Sequence, residues 1–252
     1  MQDLPRVFLP PEAFADGTVT MEGDAVHHLC RVLRLSAGDR LYALDGRGML
    51  FHVTLDAVAK DRAHGTITGS EPARGEPPVP ITLAAAIPKG ERWEWLLQKA
   101  TELGVSRIQP LITARTIVQV EPRKAADKLA RWQKIVMEAA EQCERACVPA
   151  VLPPMTWTAF AAAPPPPGLL LACLERVEHA GASLPALLEA APPPAAVTVL
   201  VGPEGGFSPQ EAEAMRALGA EPASLGARIL RAETASMAIL AMLAYHFELR
   251  RP

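Results

Sequence analysis

From residue 81 onward, short apolar runs alternate with stretches of helical period, and this alternation restricts the fold more than any other feature of the chain. Residues 81–86, 105–112, 169–174 and 197–201 are strand candidates, of which 169–174 and 197–201 are near-continuous apolar runs, as expected of strands covered on both faces. Between them, residues 91–103 place Trp93, Leu96, Leu97, Ala100 and Leu103 on one helical face, and Gly104 supplies a left-handed stop. Residues 122–146 form a longer helix with Leu129, Trp132, Val136, Ala139 and Cys143 on its apolar face. Residues 161–168, with four consecutive prolines, read as a loop. Residues 183–190 and 233–249 are further helices, and residues 223–225 a short strand. Ser208, Pro209 and Glu211 stand as N-cap, first and third residues of another helix, a capping-box arrangement. Alternating strands and helices build a parallel α/β sheet.

The first 70 residues follow a different pattern. Residues 19–21, 40–44, 50–55 and 64–68 are short runs rich in β-branched and aromatic residues, separated by turn signals at 37–39 and 45–48. One helix, residues 24–34, interrupts them, with Val26, Leu29, Val32 and Leu33 at helical spacing. Closely spaced short strands suggest a small barrel. Residues 70–80 are crowded with proline and charge and read as a linker. The expected domains are therefore residues 1–72 and 78–252.

With 252 residues and 49% apolar content, the chain can bury a substantial core. A formal net charge of −3 excludes a generic basic coat for nucleic acid, though not a local basic surface. The start has no apolar signal region, and the stretch 235–245 is too short to span a bilayer. Cys30, Cys143, Cys147 and Cys173 lack zinc-type spacing, and buried reduced thiols in a cytoplasmic protein are expected.

The sharpest chemical signal is Gly202-Pro203-Glu204-Gly205-Gly206-Phe207-Ser208, which leaves an apolar strand and enters a capped helix. Ligands of open α/β sheets bind at the carboxyl ends of strands, and glycines let backbone N–H groups approach them. The pattern is neither a dinucleotide fingerprint nor a P-loop. A tight turn without a ligand gives the same letters. The second signal is residues 225–235, where Arg228 and Arg231 sit three apart on a loop entering a helix. The helix dipole disfavours two cations there. An anionic ligand would compensate them, as would an ion pair to Glu233. Glu138, Gln142 and Arg145 share one helix face, which by default is solvated. Lys89 follows a strand and could meet an anion. His27-His28 precedes Arg31 and Arg34, and no metal-ligand spacing exists.

Taken together, residues 89–92 through 98–104, 138–145, 202–207 and 225–235, with 28–34 and Asp45-Gly46 ahead of them, match a known family in order and spacing. The chain resembles the bacterial 16S ribosomal RNA uridine-N3 methyltransferases of the SPOUT class over nearly its whole length. It departs at Ala227, where many relatives carry proline or a polar residue. The resemblance implies an N-terminal PUA-like β-barrel and a C-terminal α/β domain with a deep trefoil knot. It implies S-adenosylmethionine held in that knot and a homodimer with the active site near its interface; no metal is expected, since no ligand spacing exists. By position, Leu200, Val201, Gly202, Pro203, Glu204, Gly205 and Gly206 match one cofactor loop, and Leu225, Gly226, Ile229, Leu230 and Ala235 the other.

The implied reaction removes the uridine N3 proton and leaves charge on the ring oxygens, which a nearby guanidinium stabilises. Arg231 is the first choice and Arg228 the second. Glu204 and Glu138 are the alternative proton acceptors. Arg6, Arg31 and Arg34 of the barrel, with Lys89, are expected to contact the RNA backbone. Two other readings compete: a non-catalytic RNA-binding module with a degenerate knot, and a nucleotide-binding oxidoreductase.

Overall fold

The computed structural model describes residues 4–73, 75–118, 121–174, 184–189 and 193–250. The chain divides into two compact units. One comprises Met1–Glu76 with Ala140–Val148, and the other Pro77–Ala139 with Pro149–Pro252. Residues 140–148, which the sequence reading leaves in the second domain, thus pack with the first.

The first unit is a six-stranded sheet. Its strands are β1 (Arg6–Phe8), β2 (Phe14–Ala15), β3 (Thr18–Glu22), β4 (Arg40–Leu44), β5 (Met49–Val58) and β6 (Arg62–Pro72), in the order β1-β4-β5-β6-β3-β2. Only β1 and β4 pair in parallel. Val7 at one edge and Val19 and Met21 near the other belong to a single core with Leu41, Val53 and Leu55, so the sheet curls around its own interior. Two register shifts in β5 assist the bend. Opposite them Gly65 has no room for a side chain: a Cβ there would lie 3.0 Å from the Thr54 carbonyl.

The expected helix over 24–34 is shorter than its pattern. Helix α1 (Asp24–His27) passes into a π-helical turn, His28–Val32, and Arg34 adopts φ 55°. The wider turn rotates the later residues off the apolar face. Val26 and Leu29 are buried while Val32 is exposed. The expected linker is also more ordered than its composition suggests, because β6 runs to Pro72 and Glu76 has a fixed role. Its carboxylate accepts from Arg145 Nη2 at 2.6 Å, from Arg145 Nε at 3.3 Å and from the Cys147 backbone N–H at 3.0 Å. Arg145 is only 4% exposed. The solvated helix face expected of Glu138, Gln142 and Arg145 therefore fails at Arg145, which lies beyond the helix end and inside the first unit.

The second unit is a parallel seven-stranded sheet. Its strands are β7 (Ile81–Ala86), β8 (Arg107–Ile112), β9 (Ala150–Val151), β10 (Met155–Thr156), β11 (Leu169–Cys173), β12 (Val197–Val201) and β13 (Glu221–Ala223). The order is β10-β8-β7-β12-β11-β13, with β9 also on β8. Its helices are α2 (Arg92–Glu102), α3 (Ala125–Gln142), α4 (Trp157–Ala162), α5 (Leu184–Glu189), α6 (Pro209–Ala217) and α7 (Ala232–Ala244), the last followed by a π-helical turn, Tyr245–Leu249. Every residue of β12 is buried, as the continuous apolar run requires. Trp93, Leu96, Leu97 and Ala100 of α2 are buried as expected, and Gly104 ends that stretch at φ 83°. Trp157 and Phe160 of α4 join Met215 of α6 over Leu170 and Leu200. Helix α4, with β9 and β10 before it, was not legible: these elements are two to six residues long, below the length at which period is visible. Strand β13 lies two residues earlier than the sequence suggests, because Ser224 already begins the next loop.

The Glu76–Arg145 pair yields a stability expectation. Replacing Glu76 by Ala leaves a buried guanidinium without its carboxylate, and should cost about 3 kcal/mol, read as a lowered urea midpoint. Glu76→Gln, which keeps an acceptor, should cost less.

Candidate active site

The parallel sheet fixes where the chemistry can sit. Val201 is paired with Ala85 and with Cys173, Cys173 with Ala223, and Ala86 with Leu111. The loops after β7, β8, β11, β12 and β13 therefore leave from one edge. A cavity of about 610 Å³ lies there, bounded by Cys173 and Leu174, by Val201 to Phe207, by Leu230, Ala232 and Ala235, and by Arg115 and Arg216. A smaller cavity of about 50 Å³ is bounded by Ala223, Leu225, Gly226, Arg228 and Ile229, and shares Cys173, Leu174, Leu230 and Ala235 with the larger one. Of the positions assigned to a cofactor, all but Leu200 border one or both; Leu200 is fully buried in the core beneath.

The glycine loop is shaped from both sides. Ser208 and Glu211 form the capping box, with Ser208 Oγ accepting from the Glu211 N–H at 3.2 Å and the Ser208 N–H donating to Glu211 Oε2 at 2.8 Å. The other Glu211 oxygen accepts from the Ala114 N–H at 2.7 Å, which ties the loop after β8 to the start of α6. A Cβ on Gly202 would sit 3.2 Å from the Gly206 carbonyl carbon and 3.1 Å from the Phe207 ring. Gly206 turns the chain at φ 67°, where a side chain is disfavoured.

Charges around the cavity sort into paired and unpaired. Glu204 accepts from the Lys89 N–H at 3.2 Å and from Arg92 Nη1 at 3.3 Å. Arg92 Nε also lies 3.8 Å from Glu233 Oε1. Glu233 is 9% exposed, and its Oε2 has no partner among the described residues. Because Glu233 faces Arg92, it does not neutralise the two arginines before it. Among the described residues, the Arg228 and Arg231 side chains carry no hydrogen bond or ion pair, and both are exposed. Arg231 is the N-cap residue of α7 and borders neither cavity; Arg228 borders the smaller one. Glu138 lies apart, exposed and 3.9 Å from Lys134.

The four positions expected to meet RNA differ in how free they are. Arg6 is engaged within its own unit: it pairs with Glu144 at 2.7 Å and lies 5.7 Å from the Tyr42 ring centroid. Arg34 and Lys89 are exposed. The Arg31 side chain lies outside the described residues. None of the four cysteines is in a disulfide, and none is fully buried as a residue, which corrects that expectation. The Cys173 thiol is nevertheless pushed up to about 12 by burial, so it lines the cavities as a neutral group. Sequence reasoning missed Arg115, Arg92, Cys173 and Leu174. Arg115 could have been found, since it stands three residues beyond a parallel strand, at the edge where ligands bind. Among the described residues no helix is long and apolar enough to cross a membrane, and no group of three or more His, Cys, Asp or Glu side chains could hold a metal ion.

Comparison with known proteins agrees with this arrangement. An RNA methyltransferase domain model matches residues 75–244, and an RNA methyltransferase PUA domain model matches residues 22–68. The chain is 40% identical over 239 residues to the ribosomal RNA small subunit methyltransferase E of Synechocystis, covering 94% of this chain and 76% of that one. It is 31% identical over 236 residues to the enzyme of the same name from Bacillus subtilis, covering 93% and 92%. The crystal structure of a Neisseria gonorrhoeae ribosomal RNA small subunit methyltransferase E bound to S-adenosyl methionine superposes with a TM-score of 0.83 at 35% identity, covering 96% and 97%. A match spanning the catalytic domain, reinforced by full-length relatives, means that this chain belongs to the RNA methyltransferase family and is an enzyme of that family, with the family's PUA domain ahead of the catalytic one.

Proposed function

We propose that this enzyme methylates N3 of a uridine in the small-subunit ribosomal RNA, using S-adenosylmethionine. The observation that carries the reading is the cavity at the carboxyl edge of the sheet, together with Arg228 and Arg231 of the 225–235 segment beside it, which have no partner among the described residues. Its volume is within the range of small-molecule sites. Its walls fit the cofactor's parts. Leu174, Leu230 and Ala235 with the neutral Cys173 give an apolar wall for a purine, and the glycine loop offers backbone groups to its polar edges. A knotted threading of these loops is what the family resemblance implies. When bound, the cofactor supplies a methyl group on a sulfonium, ready for in-line transfer.

The chain's own residues then have separable tasks. Arg231, fixed at the start of α7 and without a partner among the described residues, stabilises the negative charge left on the uridine oxygens when N3 loses its proton. Arg228 is the second candidate for that task. Glu204 is the proton acceptor better placed than Glu138, because it borders the cavity and Arg92 holds it there. The N-terminal domain, residues 1–72, grips the RNA backbone, and residues 78–252 carry the transfer. Arg34 and Lys89 are exposed and suited to phosphate.

The enzyme acts as a homodimer in the cytoplasm. Met242, Tyr245 and Leu249 at the end of the chain are 43%, 59% and 76% exposed. An apolar strip of this kind on a cytoplasmic protein calls for a partner, and a second copy is the partner that the family resemblance implies.

Four measurements test this. Small-subunit ribosomal RNA from a deletion strain should lack a methyl group at one uridine N3, by mass mapping, and regain it when this chain is restored. Arg231→Ala should restore about a hundredfold less activity in kcat with cofactor affinity unchanged; full activity would remove Arg231 from the site. Gly202→Val should abolish S-adenosylmethionine binding in calorimetry, since the added side chain would collide with Gly206 and Phe207. Finally, Tyr245→Asp with Leu249→Asp should sediment as a monomer where the parent chain is a dimer.

A further inference from the structure

We propose that Arg115 is a cofactor-binding residue that holds the carboxylate of the amino-acid tail of S-adenosylmethionine. This rests on the reading of the 610 Å³ cavity as the cofactor site. The proposal begins with the loop after β8, which is built to hold one side chain in place. The Thr113 N–H donates to Thr116 Oγ1 at 2.9 Å, and the Ala114 N–H donates to Glu211 at 2.7 Å. Glu211 is itself buried and locked in the capping box of α6. Arg115, between these anchors, reaches across the glycine loop, where its Nη1 donates to the Gly205 carbonyl at 2.5 Å.

The arginine stem packs directly on Gly205: a Cβ there would lie 3.4 Å from Arg115 Cδ and 3.6 Å from its Cβ, in ordinary van der Waals contact. One nitrogen of the guanidinium is committed to Gly205, while Nε and Nη2 have no partner among the described residues.

The electrostatic balance singles out the same residue. Two arginines line the cavity. Arg216 is countered by Glu213 at 2.6 Å, whereas Arg115 has no carboxylate within ion-pair distance among the described residues. A guanidinium with two free donors in a cavity wall suits an oxyanion. The apolar residues shared with the smaller cavity, Cys173, Leu174, Leu230 and Ala235, mark the end suited to the purine. Arg115 borders only the larger cavity, which leaves it for the other end of the ligand. An RNA phosphate offers the same oxyanion chemistry, so the test separates the two sources.

Calorimetry on the full chain, with S-adenosylmethionine and with its decarboxylated analogue, isolates the carboxylate. For the parent chain, S-adenosylmethionine should bind more tightly than the analogue. Arg115→Gln should weaken S-adenosylmethionine about ten- to a hundredfold, leave the analogue unchanged and so erase the difference. Arg115→Lys should recover part of it. Equal weakening of both ligands would mean that Arg115 only shapes the loop, and would overturn the proposal. Unchanged affinity for both ligands with weakened RNA binding would assign Arg115 to a phosphate and would also overturn it. A parent chain that binds neither ligand would instead refute the cofactor reading of the cavity, and the proposal with it.

Discussion

The active site depends on the parallel pairing of β12 with β7 and β11. Parallel strands all end at the same edge, so their outgoing loops gather there without any loop having to seek another. In this chain the register is in step: Val201, Ala85 and Cys173 are neighbours across three strands. The residues that follow them are then the first that can turn into the cavity, which is why Leu174 and Gly202 border it. A slip of one position in β12 would also exchange its two faces. It would move Leu200 out of the core it shares with Leu170 and Met215. The same hydrophobic burial that stabilises the sheet therefore sets the loop positions to within a residue.

Within that frame, charge decides which loop groups are held and which remain available. Arg92 stands between Glu204 of the glycine loop and Glu233 of α7, and so joins two segments distant in sequence. Its contact with Glu204 is partly exposed and contributes little to stability. Its consequence is positional, because it holds an acid of the glycine loop and an acid of α7 on one guanidinium. Glu233 Oε2 and Trp93 Nε1 are both buried without partners among the described residues, in helices α7 and α2 that pack together. Unsatisfied buried polar groups are costly, and two of them in packed helices mark this seam as the part of the unit whose polar groups are least settled.

Much of this was legible in the sequence, and the failures have a common cause. The α/β alternation, the face of α2, the left-handed stop at Gly104 and the capping box at Ser208 each depend on neighbours within four or five positions, which is the range over which sequence period acts. The 225–235 segment could be located, but whether Glu233 would pair with Arg231 or turn away depends on Arg92, more than a hundred positions earlier. Arg145 shows the same limit. Its spacing from Glu138 and Gln142 puts it on a shared helical face, but the helix ends at Gln142 and the carboxylate that buries it comes from position 76. The π-helical turn after His27 defeats a 3.6-residue reading because it changes the period itself.

The three glycines of the 202–206 loop illustrate why a motif is not one constraint. Gly206 is required by its backbone, since φ 67° disfavours a side chain. Gly202 is required by its own loop, because a Cβ would press on the Gly206 carbonyl carbon and the Phe207 ring. Gly205 has neither restriction, and its nearest foreign atoms belong to Arg115, ninety positions away. Only the first two follow from the local turn. The third is restricted by no such turn, and its contact with the arginine stem instead marks the loop after β8 as a wall of the site.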